Sequence, residues 1–279
     1  MMTLVKRKFI PGEEWIYYKV YLGTLTSDIV LTDLFPIIDQ LIKKKIILKW
    51  FYLRYHDPIG HHLRIRFKLI SIESFPSVLS KVNTILIPLI RERFVHNISL
   101  GTYNREIERY GQYAIDDTET IFFYDSQMIL KAIGEIKDKT MFTLFIVKSL
   151  NAILDTFRLN IDSKISLIQE SYYAFREEFK ADKYTIKQFS KKYQELSDFR
   201  KSIEVYNENL ILERQDGISP YINSLIFSIE KSSVDLNSYI QSILHMSINR
   251  AFNKNQRINE FICYYFLYQY LKELKFRQL

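Results

Sequence analysis

Three short stretches of this chain carry the side chains best suited to chemistry. The first is His61-His62-Leu63-Arg64-Ile65-Arg66-Phe67. On a strand, side chains two apart share a face. His62, Arg64 and Arg66 then point one way, and Leu63, Ile65 and Phe67 point into a core. Two adjacent guanidiniums repel unless an anion lies between them, and arginine's planar fork grips carboxylate or phosphate in two places. One reading is a paired-arginine anion site; the other is a solvated, charged strand face. The second stretch runs from Tyr103 to Gly111 and includes Arg105, Glu106, Glu108 and Arg109. In helical geometry Glu106 and Arg109 are neighbours at three apart. The arginine would hold Glu106 ionised, and an ionised, partly desolvated glutamate can act as a general base. The same pair also reads as a surface ion pair. The third stretch is Leu244-His245-Met246-Ser247-Ile248-Asn249-Arg250. His245 and Asn249 share a helix face, and histidine transfers protons near neutrality, although a lone helical histidine is often structural.

Together these offer arginines for an anionic group, one candidate base and one candidate acid. Other chemistries lack their motifs. Ser126 in Tyr124-Asp125-Ser126-Gln127 has no flanking glycines, and the segment from Asp57 to His62 lacks a third and fourth metal ligand. No phosphate-cradling loop occurs. Neither a metal nor another cofactor is expected.

Strands are predicted over 15–22, 50–55, 62–68 and 95–100, the middle pair joined through Asp57, Pro58 and Gly60. Helices are predicted over 26–45, with Ser27 or Asp28 as cap and Pro36 inside, over 77–91, and from Asp116 to about Ile133 with Glu119 placed for a capping box. Beyond residue 140 the strand signals fade. Residues 141–157, 164–199 (interrupted at 180–184), 221–252 and 255–276 show helical spacing. The expected class is α+β: residues 1–140 form a mixed half with a small sheet and no regular βαβ rhythm, and 141–279 a helical half, the two integrated as one domain.

Among 279 residues are 20 Tyr, 20 Phe and 2 Trp, and the net charge is +7. The charge favours acidic partners, yet no nucleic-acid-binding motif appears, so no stable nucleic-acid complex is expected. The single cysteine, Cys263, permits no intrachain disulfide and is expected to pack as a small apolar residue in a reducing cytoplasm. Neither a signal peptide nor a membrane-spanning run is visible. Tyr264, Tyr265, Phe266, Tyr268 and Tyr270 are expected mainly in the core, with a dimer interface as the alternative.

The order of motifs resembles a known family. Trp50-Phe51-Tyr52-Leu53-Arg54-Tyr55-x-Asp57-Pro58 is followed by His62-Leu63-Arg64-Ile65-Arg66-Phe67, Tyr103-x-Arg105-Glu106-x-Glu108-Arg109-Tyr110-Gly111, Phe122-x-x-Asp125-Ser126 and His245-Met246-x-x-Asn249-Arg250. This is similar to the C-terminal domain of lantibiotic dehydratases, also found as separate thiopeptide-type bacteriocin biosynthesis proteins. The resemblance runs from about Trp15 to the C-terminal helix.

It implies a β-elimination. In that family a separate domain or protein esterifies Ser and Thr of a ribosomally made precursor peptide with glutamate from glutamyl-tRNA, and the elimination domain expels the glutamate, leaving dehydroalanine or dehydrobutyrine. By motif position, Arg64, Arg66 and Arg109 correspond to the family's site arginines, Glu106 to its essential glutamate and His245 to its histidine. His62, Asn249 and Arg250 are further candidates for substrate binding. One departure is Gln112, where the family often has a second glycine. Another is that 279 residues cannot also hold the glutamylating portion, so a partner must supply the adduct. Two alternatives stay open: a pyridine synthase, joining two dehydroalanines in a formal cycloaddition with leader release, and a non-catalytic scaffold for leader peptide or tRNA.

Overall fold

The computed structural model describes residues 5–196 and 208–277, so residues 197–199 of the helix expected over 164–199 lie outside the described residues. The chain forms two compact units, Met1–Leu130 with Phe227–Val234, and Lys131–Ile226 with Asp235–Leu279.

The first unit contains β1 (Lys8–Phe9), β2 (Trp15–Leu22), α1 (Thr26–Lys43), β3 (Ile47–Asp57), β4 (Gly60–Leu69), α2 (Phe75–Arg91), β5 (Val95–Leu100), β6 (Tyr103–Asn104), α3 (Ile107–Tyr110) and the start of α4 (Ile115–Glu135). Four strands form an antiparallel sheet in the order β3-β4-β2-β5, while β1 pairs with β6 separately. The order of elements from β2 to β5 is β-α-β-β-α-β, the ferredoxin-like arrangement. The class is α+β as expected: every pairing in the sheet is antiparallel, and the two consecutive strands β3 and β4 interrupt any repeated strand–helix alternation. β3 and β4 extend past the predicted runs and form a hairpin, with α1 and α2 as the two crossovers.

The apolar pattern fixes which face receives the helices. Ile16, Tyr18 and Val20 of β2, Trp50 and Tyr52 of β3, and Leu63, Ile65 and Phe67 of β4 share a core with Val30, Leu31, Leu34 and Ile38 of α1 and Val78, Val82 and Leu86 of α2. Arg54 is 1% exposed. Its Nη2 meets Asp28 Oδ1 at 2.6 Å and its Nη1 donates to Ser27 Oγ at 2.5 Å. Ser27 and Asp28 therefore do not cap α1. Leu25 occupies the cap position without a side-chain bond, because a buried guanidinium has claimed both candidates.

The second unit is helical: α5 (Lys139–Thr156), α6 (Ile161–Glu178), α7 (Lys183–Glu195), α8 (Glu208–Ile218), α9 (Ile222–Lys231, which ends in the first unit), α10 (Leu236–Ala251) and α11 (Gln256–Arg277). Asp138, Asn160, Asp182 and Asp235 accept backbone N–H bonds at the starts of α5, α6, α7 and α10. The expected break at 180–184 is present, with Asp182 as cap. The single helix expected over 221–252 is two helices: Ser233 has φ 55° and Asp235 starts a new one. Tyr264, Tyr265 and Phe266 are buried, with rings packed on Phe175, Phe189 and Tyr193, which assigns them to the core. Cys263 is buried beside them, and burial pushes its thiol pKa up. Among the described residues no helix is long and apolar enough to cross a membrane.

Phe67 is fully buried on a central strand. Phe67→Ala should cost about 3–5 kcal/mol, read as a lowered urea midpoint at unchanged m-value.

Candidate functional site

The face of the sheet opposite α1 and α2 is set by register. Tyr17, Lys19 and Tyr21 of β2 stand opposite Arg66, Arg64 and His62 of β4, which in turn stand opposite Phe51, Leu53 and Tyr55 of β3. His62, Arg64 and Arg66 thus share one face, as the alternation predicts. Arg66 is 6% exposed. Its guanidinium carbon lies 4.6 Å from the Tyr17 ring centroid, 5.1 Å from Phe51 and 4.8 Å from Tyr103. Its Nε and Nη1 are buried without a hydrogen-bond partner, and no carboxylate pairs with it among the described residues. Cation–π contacts return about 0.5–2 kcal/mol each, whereas burying an ion costs several. Three such contacts return roughly 1.5–6 kcal/mol, so the rings offset part of that cost and an anion would offset the rest.

Arg64 is half-buried. Its guanidinium carbon sits 3.3 Å from the Tyr55 ring centroid and its Nε donates to His62 Nε2 at 3.2 Å.

Tyr103 ties the second motif to this face. Its ring packs on Trp15, Tyr17 and Phe51, and its hydroxyl donates to Glu119 Oε1 at 2.8 Å. Burial and the neighbouring carboxylate push the Tyr103 pKa well up. Arg105 is buried, donating from Nε and Nη2 to Glu119 and from Nη2 to Asp116. Lys49 is held by the Asp116 carbonyl and Thr120 Oγ1, and burial lowers its pKa. Glu119 therefore does not complete a capping box; it is the fully buried counter-charge of Arg105.

On that anchor Glu106 stands exposed, with Arg109 at 3.5 Å, the pairing expected from their spacing. Arg109 lies over Tyr110, Tyr110 packs on Phe122, and Phe122 on Phe51 beside Arg66. The chain turns at Gly111, with φ 85°, where a Cβ would lie 2.6 Å from Ser232 Cβ.

In the second unit His245 Nδ1 lies 2.8 Å from Glu260 Oε1. Glu260 is buried and also accepts from Arg257 Nη1 at 3.1 Å and Tyr264 Oη at 3.3 Å. A carboxylate on Nδ1 fixes the imidazole's orientation and leaves Nε2 to act. Asn249 bonds to Gln256 rather than to His245, and Arg250 is buried. The first unit holds His62, Arg64 and Arg66 on one sheet face and the Glu106–Arg109 pair on the segment after Tyr103, and the second unit holds His245, Asn249 and Arg250. Among the described residues no group of three or more His, Cys, Asp or Glu side chains could hold a metal.

The family model described as lantibiotic biosynthesis dehydratase C-term matches residues 15–271. This chain belongs to that family. Its curated relative, the nisin biosynthesis protein NisB of Lactococcus lactis subsp. lactis, is 29% identical over 139 residues, which is 49% of this chain and 13% of NisB. Among solved structures, the tRNA-dependent lantibiotic dehydratase MibB from Microbispora sp. 107891 superposes with a TM-score of 0.73 at 18% identity, over 96% of this chain and 29% of MibB. TsrL matches with 0.67 at 12% identity, over 93% of this chain and 95% of its own. TbtD, the pyridine synthase from thiomuracin biosynthesis, matches with 0.62 at 12% identity, over 94% and 99%. This dehydratase C-terminal chain therefore spans under a third of NisB and MibB and nearly all of TsrL and TbtD, and the solved structures establish its fold.

Sequence reasoning missed Glu260 and misread Glu119. Each is a carboxylate beside strongly apolar residues, Phe261-Ile262-Cys263 and Ile121-Phe122-Phe123. Buried carboxylates demand partners. That signal flags both residues, but their partners lie 15 and 14 positions away.

Glu119→Ala in this dehydratase C-terminal protein should cost about 3–5 kcal/mol by leaving Arg105 uncompensated, measured by denaturant titration. Gly111→Ala should cost about 1–3 kcal/mol, from its positive φ and the clash with Ser232, visible as a lowered Tm.

Proposed function

We propose that this protein eliminates glutamate from glutamylated Ser and Thr of a ribosomally made precursor peptide, leaving dehydroalanine or dehydrobutyrine. The observation that carries this is Arg66: a buried guanidinium in a box of rings, lacking a counter-ion among the described residues, beside the half-buried Arg64. Such a site favours a small carboxylate. Glutamate attached as an ester brings one free carboxylate and gains a second as it leaves.

In the step, Glu106 takes the peptide Cα proton, the C–H electrons form the Cα=Cβ bond, and the Cβ–O bond breaks. The electron pair leaves on the glutamate carboxylate, whose developing charge Arg109 stabilises while Arg64 and Arg66 bind the carboxylate that glutamate already carries. His245, oriented by Glu260, serves as proton donor or stabilises the enolate charge. His62, Asn249 and Arg250 support binding. No cofactor enters the step. A separate glutamyl-tRNA-dependent protein supplies the ester, and because that reagent is cytoplasmic, so is the reaction.

The fold shared with TbtD, a pyridine synthase, favours a second reading as a cyclase that acts on dehydroalanines. One experiment separates them. Incubation with glutamylated precursor peptide should release free glutamate, with one unsaturated residue per site by mass spectrometry. Turnover only of a peptide already carrying dehydroalanines would mark a cyclase.

Arg66→Gln and Glu106→Ala should each lower glutamate release on the order of 100-fold. Glu260→Gln should give a smaller loss than His245→Ala, since it disturbs orientation and leaves the imidazole. Unchanged release in Glu106→Ala and His245→Ala would defeat the assignment of roles.

A further inference from the structure

The elimination step uses Arg64 and leaves unexplained why a fully buried histidine stands behind it. His62 is 0% exposed, with rings of Tyr21 and Tyr55 at 4.6 and 5.5 Å. Its two ring nitrogens meet groups of fixed character. Nδ1 is 3.2 Å from the Gly60 carbonyl oxygen, which can only accept, and Nε2 is 3.2 Å from Arg64 Nε–H, which can only donate. Both contacts are satisfied in one state, the neutral imidazole with its proton on Nδ1.

That state is built into the hairpin. Asp57 accepts from the backbone N–H of Ile59 and Gly60 at 3.0 and 3.3 Å and from Tyr21 Oη at 3.1 Å, closing the turn that presents the Gly60 carbonyl. Gly60 has φ 140°, a conformation that side-chain-bearing residues rarely adopt. Arg64, with Nε on His62 and its plane on Tyr55, keeps its two Nη groups for a ligand.

Resting on the elimination reading, we propose that His62 is a positioning residue: as a neutral hydrogen-bond acceptor it holds Arg64 flat on Tyr55, so that the Nη edge meets the substrate carboxylate. Protonating His62 removes the acceptor and sets a cation against Arg64. The groups facing His62 are Lys19 and Tyr21 of β2, Tyr55 and Asp57 of β3, and Arg64 of β4. Burial lowers the His62 pKa below its usual value; Lys19 and Arg64 act in the same sense, while Gly60 and Asp57 oppose it. The neutral form is thus the native one at neutral pH, and its holding function is lost on acidification.

The test uses the whole chain. With 15N-labelled histidine, NMR at neutral pH should show His62 protonated on Nδ1 and bare on Nε2; a proton on Nε2 overturns the proposal. With glutamylated peptide, His62→Phe keeps a ring but no acceptor. It should raise KM roughly ten-fold with kcat changed less than two-fold, as expected for loss of one charge-assisted hydrogen bond. His62→Gln, whose amide oxygen can accept from Arg64, should keep KM within about three-fold. The wild-type KM should rise at acidic pH, while that of His62→Gln stays flat. Unchanged KM in His62→Phe, or equal losses in both variants, overturns the proposal. If the wild type releases no glutamate, the elimination reading fails alone. Titration of free L-glutamate then judges His62, with roughly ten-fold weaker binding expected in His62→Phe and equal binding overturning it.

Discussion

Strand β4 is paired on both edges, by β2 and by β3, and its residues alternate between an apolar core and a cationic face. A one-residue slip would drive Arg64 and Arg66 under α1 and α2 and expose Leu63, Ile65 and Phe67, so the register is fixed by burial as well as by the hairpin. Everything proposed for the site depends on that alternation. The same residues that hold the helices in place oblige the intervening ones to stand side by side on the opposite face.

The charges of the first unit separate into two classes. Arg54, on the helix side, is closed by Asp28 and Ser27, and Arg105 by Glu119 and Asp116. These are internal ion pairs in which both partners are supplied by the chain. Arg66 is as buried but is met by aromatic rings instead of a carboxylate. Burial of an unpaired ion is the costly case. That contrast within the first unit is what the proposed ligand role of Arg66 rests on. Glu119 serves that site indirectly: it fixes Arg105 and the hydroxyl of Tyr103, and Tyr103 is one wall of the box around Arg66.

The second unit repeats the logic with opposite sign. Glu260 is a buried carboxylate satisfied by Arg257, Tyr264 and His245, and only His245 among these carries a ring nitrogen left over for chemistry. A histidine held by a carboxylate differs from a histidine that merely occurs on a helix, because its reactive nitrogen points in a set direction.

The sequence by itself determined the α+β class, the shared face of His62, Arg64 and Arg66, the Glu106–Arg109 neighbourhood and the family, since period-two alternation, three-residue helical spacing and motif order are local properties written along the chain. It did not determine that Ser27, Asp28 and Glu119 are partners of buried arginines instead of caps, that α9 and α10 are separate helices, or that Glu260 stands behind His245. Caps and ion pairs use the same residue types. The choice between them depends on which distant cation arrives, and only the tertiary structure brings Arg54 to Asp28, Arg105 to Glu119 and His245 to Glu260. It likewise left Arg66 without a counter-ion among the described residues, because a missing partner is a property of the packed molecule and not of any segment of its sequence.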